Sequence, residues 1–143
     1  MQSLARRLED GGALSCTGVV APAAPFVAAL LRQIFPKRPI VVVTDSLKAQ
    51  ESFQQDLETW SKVQSPESKA ENSQPSTLSH QPLFYPAWEI LPHEGKLPHA
   101  DVISERLETL VELSRNSGLG TRNPALIVTS VTALLQKTFA ATP

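Results

Sequence analysis

Two runs of apolar, mostly β-branched residues constrain the fold of this chain more than any other feature of its sequence. They read IVVVT at residues 40–44 and ALIVT at residues 125–129. Continuous apolar runs of this kind are typical of parallel strands that are covered on both faces. Two more strands are predicted, a short buried one at residues 13–17 that Gly18 ends, and LFY at residues 83–85. The chain is therefore expected to build a parallel sheet.

Segments with helical spacing of apolar residues lie between and around these strands. The predicted helices cover residues 3–8, 22–35, 46–60, 101–117 and 130–137. Their expected starts are Pro22 and Pro25 in a first turn, and Asp45 or Ser46, Asp101 and Ser130 as N-caps. Alternating strands and helices predict an α/β fold, a parallel sheet with helices on both faces.

The helix predicted after Asp101 carries an apolar stripe opposite a charged side. The stripe consists of Ile103, Leu107, Leu110 and Val111, and the expected solvent side of Glu105, Arg106, Glu108 and Glu112. Arg106 is interpreted as a solvated helix charge, because exposed ion pairs contribute little to stability. The alternatives are a salt bridge to Glu105 or Glu108, or a contact with a partner.

Composition narrows the class of protein. The chain has 143 residues, a formal net charge of −1 and one cysteine, Cys16, which is expected to be a small core residue. These values predict one cytoplasmic domain over residues 1–143, without a disulfide framework, an overall charge suited to nucleic acid, or a membrane span. Residues 61–82 are rich in Ser, Pro, Gln, Glu and Lys, which predicts a disordered insertion. The end of the chain straight after a helix predicts an N-terminal fragment of a larger protein.

The turn after the first predicted strand stands where a phosphate-binding loop would lie, but it lacks the groups that such a loop needs. An active loop requires glycines, a Lys for the phosphates and a Ser or Thr for Mg²⁺. Here Thr17 and Gly18 keep a turn, while Ala21 and Pro22 occupy the Lys and Ser/Thr positions. We therefore interpret this segment as a degenerate phosphate loop that begins a helix. No catalytic residue and no cofactor is predicted for this segment.

A proline-braced aromatic segment, residues 83–92, is the other candidate site. Tyr85 directly precedes Pro86, Trp88 lies between Pro86 and Pro92, and rigid loops on a scaffold commonly carry function. Trp88 is interpreted first as packing the loop onto the sheet, and second as a contact residue. The candidate interaction residues are Tyr85, Trp88, Glu89, His93 and Arg106. His80, His93 and His99 have no metal-site spacing, and Asp45 fits an N-cap better than a metal ligand.

These elements together resemble a known family. The resemblance rests on the Thr17–Gly18 turn, IVVVTDSLKA (residues 40–49), FYPAWEILP (84–92), PHADVISERL (98–107) and LIVTSVTALLQK (126–137). The chain resembles the first subdomain of the N-terminal UvrB-like domain of the bacterial transcription-repair coupling factor (Mfd) family. The Pro-x-Trp-Glu-x-Leu-Pro and Asp-x-Ile-Ser-x-Arg-Leu elements are its specific part.

The resemblance implies half of a P-loop NTPase or helicase-like domain that has lost its nucleotide site. Proteins of this family displace stalled RNA polymerase and recruit UvrA for nucleotide excision repair of damaged DNA. ATP, Mg²⁺ and double-stranded DNA would be bound by domains further along the parent protein, an ATP-dependent translocase. UvrA would be recruited mainly through a subdomain that begins after Pro143. UvrB wedges a tyrosine-rich hairpin into DNA near the region of Trp88, but only Phe84, Tyr85 and Trp88 remain here.

Two other functions are compatible with the residues. One is an active lobe of a helicase-type ATPase with an unusual phosphate loop, for which Lys37 or Lys48 would have to reach the Thr17–Gly18 turn. The other is a small-molecule-binding α/β domain with its pocket at the strand ends, for which no glycine-rich fingerprint is present.

Overall fold

The computed structural model describes residues 2–63, 82–90, 93–116 and 125–138. The helices are α1 (Gln2–Glu9), α2 (Ala24–Ile34), α3 (Leu47–Val63), α4 (Ala100–Asn116) and α5 (Val131–Leu135), with a short 3-10 helix at Ala21–Ala23. The strands are β1 (Ile40–Thr44), β2 (Leu83–Tyr85) and β3 (Leu126–Ser130). The fold is therefore mixed α/β.

The three strands form one parallel sheet in the order β1-β3-β2. The register sets both Val42 of β1 and Phe84 of β2 beside Val128 of β3. All five residues of β3 are buried, as expected for a central strand. The predicted parallel sheet is confirmed, with three of its four predicted strands.

Helices pack against both faces of the sheet. On one face, Ala29 of α2 and Leu57 of α3 form a core cluster with Leu126 and Val128. Because side chains alternate along a strand, Ile127 points to the opposite face, where it clusters with Tyr85 and with Ala133 of α5. Leu110 of α4 packs against this second cluster.

Strand β1 departs from the prediction that both its faces are covered. Val41 and Val43 are 53% and 48% exposed, while Ile40 and Val42 pack against the α2–α3 side. The reason is the position of β1 at the sheet edge, since the second-face cluster is built on β2 and β3. An apolar run alone does not distinguish an edge strand from a central one.

Residues 13–17 do not form the predicted strand. They pair with no strand of the described structure, and Cys16 is exposed, so the prediction of a core cysteine is wrong as well. A strand is stable only where a neighbour satisfies its backbone groups, and this short segment of mixed polarity stays hydrated instead.

Helix starts follow the capping rules with one exception. The Ala49 N–H donates to Ser46 Oγ and the Ala133 N–H to Ser130 Oγ, each at 3.3 Å. Helix α4 begins at Ala100, so Asp101 lies in its first turn rather than at the predicted cap, and its N–H donates to His99 Nδ1 at 3.4 Å. The acceptor is therefore a ring nitrogen two residues earlier in the chain.

The ends predicted for α3 and α4 lie at the margins of the described structure. Helix α3 extends to Val63, three residues into the predicted insertion, whose residues 64–81 lie outside the described structure. The end predicted for the helix over residues 101–117 lies outside it too. Within the described residues, no helix has the length and apolarity to cross a membrane.

Candidate functional site

Arg106 on α4 joins the two sequence elements that carry the family resemblance. Its Nη1 donates to the Pro86 carbonyl oxygen at 2.6 Å, and its Nη2 donates to the Tyr85 hydroxyl at 2.7 Å. The guanidinium carbon lies 4.1 Å from the centre of the Tyr85 ring and 4.3 Å from that of the Trp88 ring. The side chain is 1% exposed. We call these residues, with Pro86, the arginine clamp.

The clamp holds a cation by dipoles and aromatic faces. Burial lowers the pKa of Arg106, and interaction with Tyr85 opposes that shift. In the part of the chain that the structure describes, Arg106 forms no ion pair, and its Nε has no hydrogen-bond partner. Cation–π contact with two rings is most stabilising when it is desolvated, as it is here.

Two sequence interpretations of Arg106 are therefore wrong, the solvated charge and the salt bridge to Glu105 or Glu108. The third, a contact with a partner, stays a prediction. The buried face of α4 consists of Val102, Arg106 and Thr109, whereas Leu107 and Val111 are 43% and 46% exposed. The buried face is thus turned away from the predicted stripe. Tyr85 and Trp88 supply the polar and aromatic contacts that make a buried arginine tolerable, and periodicity of apolar residues carries no signal for such a contact.

Trp88 is held in place by the segment that follows α5. Its backbone N–H donates to Gln136 Oε1 at 2.6 Å, and Gln136 Nε2 donates back to the Trp88 carbonyl at 3.2 Å. The indole Nε1 donates to the Lys137 carbonyl at 3.3 Å. The aromatic loop is therefore held by the contacts of Arg106 on α4 and by hydrogen bonds to residues 136–137.

The exposed part of the candidate interaction site lies beyond Trp88. Glu89 and His93 are exposed, and Leu97 is 90% exposed, the most exposed of the large apolar side chains in the described residues. The structure thus divides the five predicted interaction residues. Tyr85, Trp88 and Arg106 form the clamp, and Glu89 and His93 are left accessible to a partner.

The degenerate phosphate turn contributes to a cleft of about 480 Å³ at the carboxyl end of β1. Thr17 and Gly18 form an exposed turn, with Gly18 at φ 89°, and do not line the cleft. Ala21 and Pro22 do line it, opposite Asp45 and Asp56. Among the described residues, no lysine or arginine lines the cleft, and Lys37 and Lys48 both lie outside it.

In the part of the chain that the structure describes, the histidines belong to no cluster of metal ligands. His99 Nδ1 lies 3.3 Å from Asp101 Oδ2, and both side chains are exposed. Residues 2–63, 82–90, 93–116 and 125–138 contain no group of three or more His, Cys, Asp and Glu side chains placed to hold a metal ion. His80 lies outside these ranges.

Sequence reasoning missed a polar network beneath the site. Gln50 of α3 is fully buried, and its Nε2 donates to the carbonyls of Tyr85 at 3.1 Å and Val128 at 3.0 Å. Thr129 Oγ1 donates to the same Tyr85 carbonyl at 2.9 Å. The spacing of Gln50, Phe53 and Leu57 at i, i+3 and i+7 was the available signal, because it places the amide on the buried face of α3.

Comparison with known proteins identifies no relative of this chain. No protein-family model, no curated protein and no solved structure matches the chain.

Proposed function

We propose that this chain is a non-catalytic scaffold and interaction domain of the kind found in transcription-repair coupling factors. Its sheet would be the half of a P-loop or helicase-like domain in which the nucleotide site has been lost. In the parent protein, other domains would bind ATP and Mg²⁺, translocate on double-stranded DNA and displace RNA polymerase. This domain would contribute to the recruitment of UvrA.

The observation that carries the proposal is the chemistry of the cleft at the carboxyl end of β1. Nucleotide phosphates need backbone N–H groups, a lysine and a bound Mg²⁺. The cleft instead presents Pro22, which has no N–H, and the carboxylates of Asp45 and Asp56. Carboxylates without an intervening cation repel phosphate, so this lining supports a domain that does not use nucleotide.

The arginine clamp gives independent support for a scaffold. The residues that make the family resemblance specific are Trp88 and Arg106, which contact each other at 4.3 Å. Arg106 is buried and Trp88 is half-buried. A signature whose members pack together maintains the shape of a loop. The exposed residues next to it, Glu89, His93 and Leu97, then provide the surface for a partner.

Isothermal titration with Mg-ATP tests the loss of nucleotide binding. We expect no heat of binding up to about 1 mM ATP, which corresponds to a free energy weaker than about −4 kcal/mol. Micromolar binding that is lost in Lys37→Ala or Lys48→Ala would overturn the proposal in favour of an active ATPase lobe.

Biolayer interferometry with UvrA tests the partner. We expect measurable binding by the 143-residue chain, weakened by Leu97→Asp and Glu89→Lys, which alter the exposed loop without touching the clamp. Glu9→Lys, on the exposed surface of α1, makes the same charge change as Glu89→Lys at another place and serves as the control. An absence of UvrA binding, or equal losses in all three variants, would remove UvrA as the partner of this domain.

A further inference from the structure

The outer edge of β1 carries unpaired backbone groups. The Ile40 N–H donates to the Ala125 carbonyl at 3.0 Å, so Ile40 directs its backbone groups toward β3. Successive residues of a strand point their N–H and C=O groups to opposite sides, and Val41 and Val43 therefore direct theirs away from β3. In the part of the chain that the structure describes, β1 pairs with no second strand.

Among the residues that the structure describes, this edge also lacks the features that normally prevent pairing. Edge strands are commonly protected by charged side chains, a bulge or a covering element. Here the side chains of Val41 and Val43 are both about half exposed, and Pro39 protects only the amino end of the strand. An accessible, β-branched edge is a template for another strand.

We propose that the partner of this edge is a second copy of the same chain, paired antiparallel through β1 about a two-fold axis at Val42. In that register Val41 of one copy lies opposite Val43 of the other, and both are residues whose backbone groups point outward. Each such pair exchanges two backbone hydrogen bonds. The two three-stranded sheets become one continuous six-stranded sheet.

Charge complementarity favours a second copy over an unlike strand. The segment that enters β1 is basic, with Lys37 and Arg38, and the segment that leaves it carries Asp45, all of them exposed. Antiparallel pairing brings the basic entry of one copy next to the acidic exit of the other, twice over because the interface is isologous. Lys37 lies in the turn before β1 and Asp45 in the bend after it, so antiparallel pairing places Lys37 of one copy at the same end of the interface as Asp45 of the other.

Sedimentation equilibrium of the intact chain tests the dimer. A five-residue strand pair is a small interface, so we expect a reversible monomer–dimer equilibrium with Kd on the order of 100 µM. Val43→Pro removes an outward N–H and leaves the ladder to β3 intact, and we expect it to be monomeric with an unchanged far-UV spectrum. A wild-type chain that stays monomeric up to about 1 mM would overturn the proposal.

A charge exchange identifies the register. Lys37→Glu and Asp45→Lys should each weaken self-association by about tenfold, because like charges then face each other at both ends of the strand pair. Mixing the two variants should restore association, since each end of the mixed dimer again joins opposite charges. Lys96→Glu makes the same charge change as Lys37→Glu in the exposed loop after β2, the strand at the other edge of the sheet, and should leave the dimer unchanged. A dimer that ignores all of these substitutions would refute pairing through β1.

Hydrogen exchange distinguishes other occupants of the edge. The Val41 and Val43 amides should gain protection as concentration rises through the Kd. Protection that is already full in the monomer would mean that another part of the chain, such as residues 13–17, covers the edge, and would overturn the proposal.

Discussion

The effect on stability predicted from the structure differs most from that predicted from the sequence when Arg106 is replaced by alanine. As an exposed helix charge, Arg106 would contribute about 0.5 kcal/mol or less to the free energy of unfolding. As the centre of the clamp, it donates two hydrogen bonds from a charged group, at 2.6 and 2.7 Å, each worth about 1.5–3 kcal/mol. The alanine variant no longer has to bury a cation, and the desolvation cost that it avoids offsets part of the lost hydrogen-bond energy. We expect a net loss of about 3 kcal/mol, a value in the range for breaking buried charged contacts.

Urea unfolding followed by far-UV circular dichroism measures this loss, because it does not depend on Trp88 fluorescence. Arg106→Lys keeps the charge but not the planar fork that serves two acceptors and two rings, so we expect it to lose about 2 kcal/mol. Arg115→Ala is the matched control on the same helix, where the side chain is exposed and lies 3.9 Å from Glu112. A loss in Arg106→Ala equal to that in Arg115→Ala, with the same dependence on urea, would refute the clamp.

Three further predictions follow from single contacts. Gln50→Leu should cost about 1–2 kcal/mol in urea unfolding, because the Val128 carbonyl loses its buried side-chain donor and the Tyr85 carbonyl keeps only Thr129 Oγ1, while Gln55→Leu on the exposed side of α3 should cost little. Burial, then the charges of Asp101, Glu108 and Glu51, raises the pKa of Glu105, so the folded state binds that proton more tightly than the unfolded state and stability falls as pH rises through the raised pKa. Glu105→Gln should therefore stabilise the fold by roughly 0.3 kcal/mol at pH 7, with the gain gone below about pH 4, and a gain that persists in acid would contradict this cause. Exposed Cys16 should react with a thiol reagent in the native protein as fast as in urea, whereas a buried thiol would react only on unfolding.

The sequence predicted those parts of the fold that depend on local pattern. The apolar runs at residues 40–44 and 125–129 became β1 and β3, and Ser46 and Ser130 cap their helices as their positions suggested. The order β1-β3-β2 and the exposure of Val41 depend on which strands become neighbours, and that is decided by contacts distant in sequence. For the same reason the strand predicted at residues 13–17 failed.

The clamp shows why the candidate site was harder to predict than the strands. Helical periodicity assigns a charged residue to solvent because most lysines, arginines and acids are exposed. Arg106 is an exception that depends on two aromatic residues distant in sequence, Tyr85 and Trp88, 21 and 18 positions earlier, whose rings both contact its guanidinium. Charge alone therefore assigned the wrong face of α4 to the core. Only the joint presence of an arginine and two aromatic residues could have indicated which face is buried.

The arginine clamp bears on which residues of the resemblance to repair coupling factors could contact a partner. Residues that make a family recognisable are often assumed to contact its partners. Here Arg106 contacts both Tyr85 and Trp88, so a substitution at any of the three would disturb the loop and weaken the binding of a partner indirectly. Leu97, which belongs to neither specific element, is 90% exposed and free to change without disturbing the clamp. A loss of UvrA binding on Leu97→Asp, at unchanged stability, would therefore carry more weight for the proposed function than the same loss on Arg106→Ala.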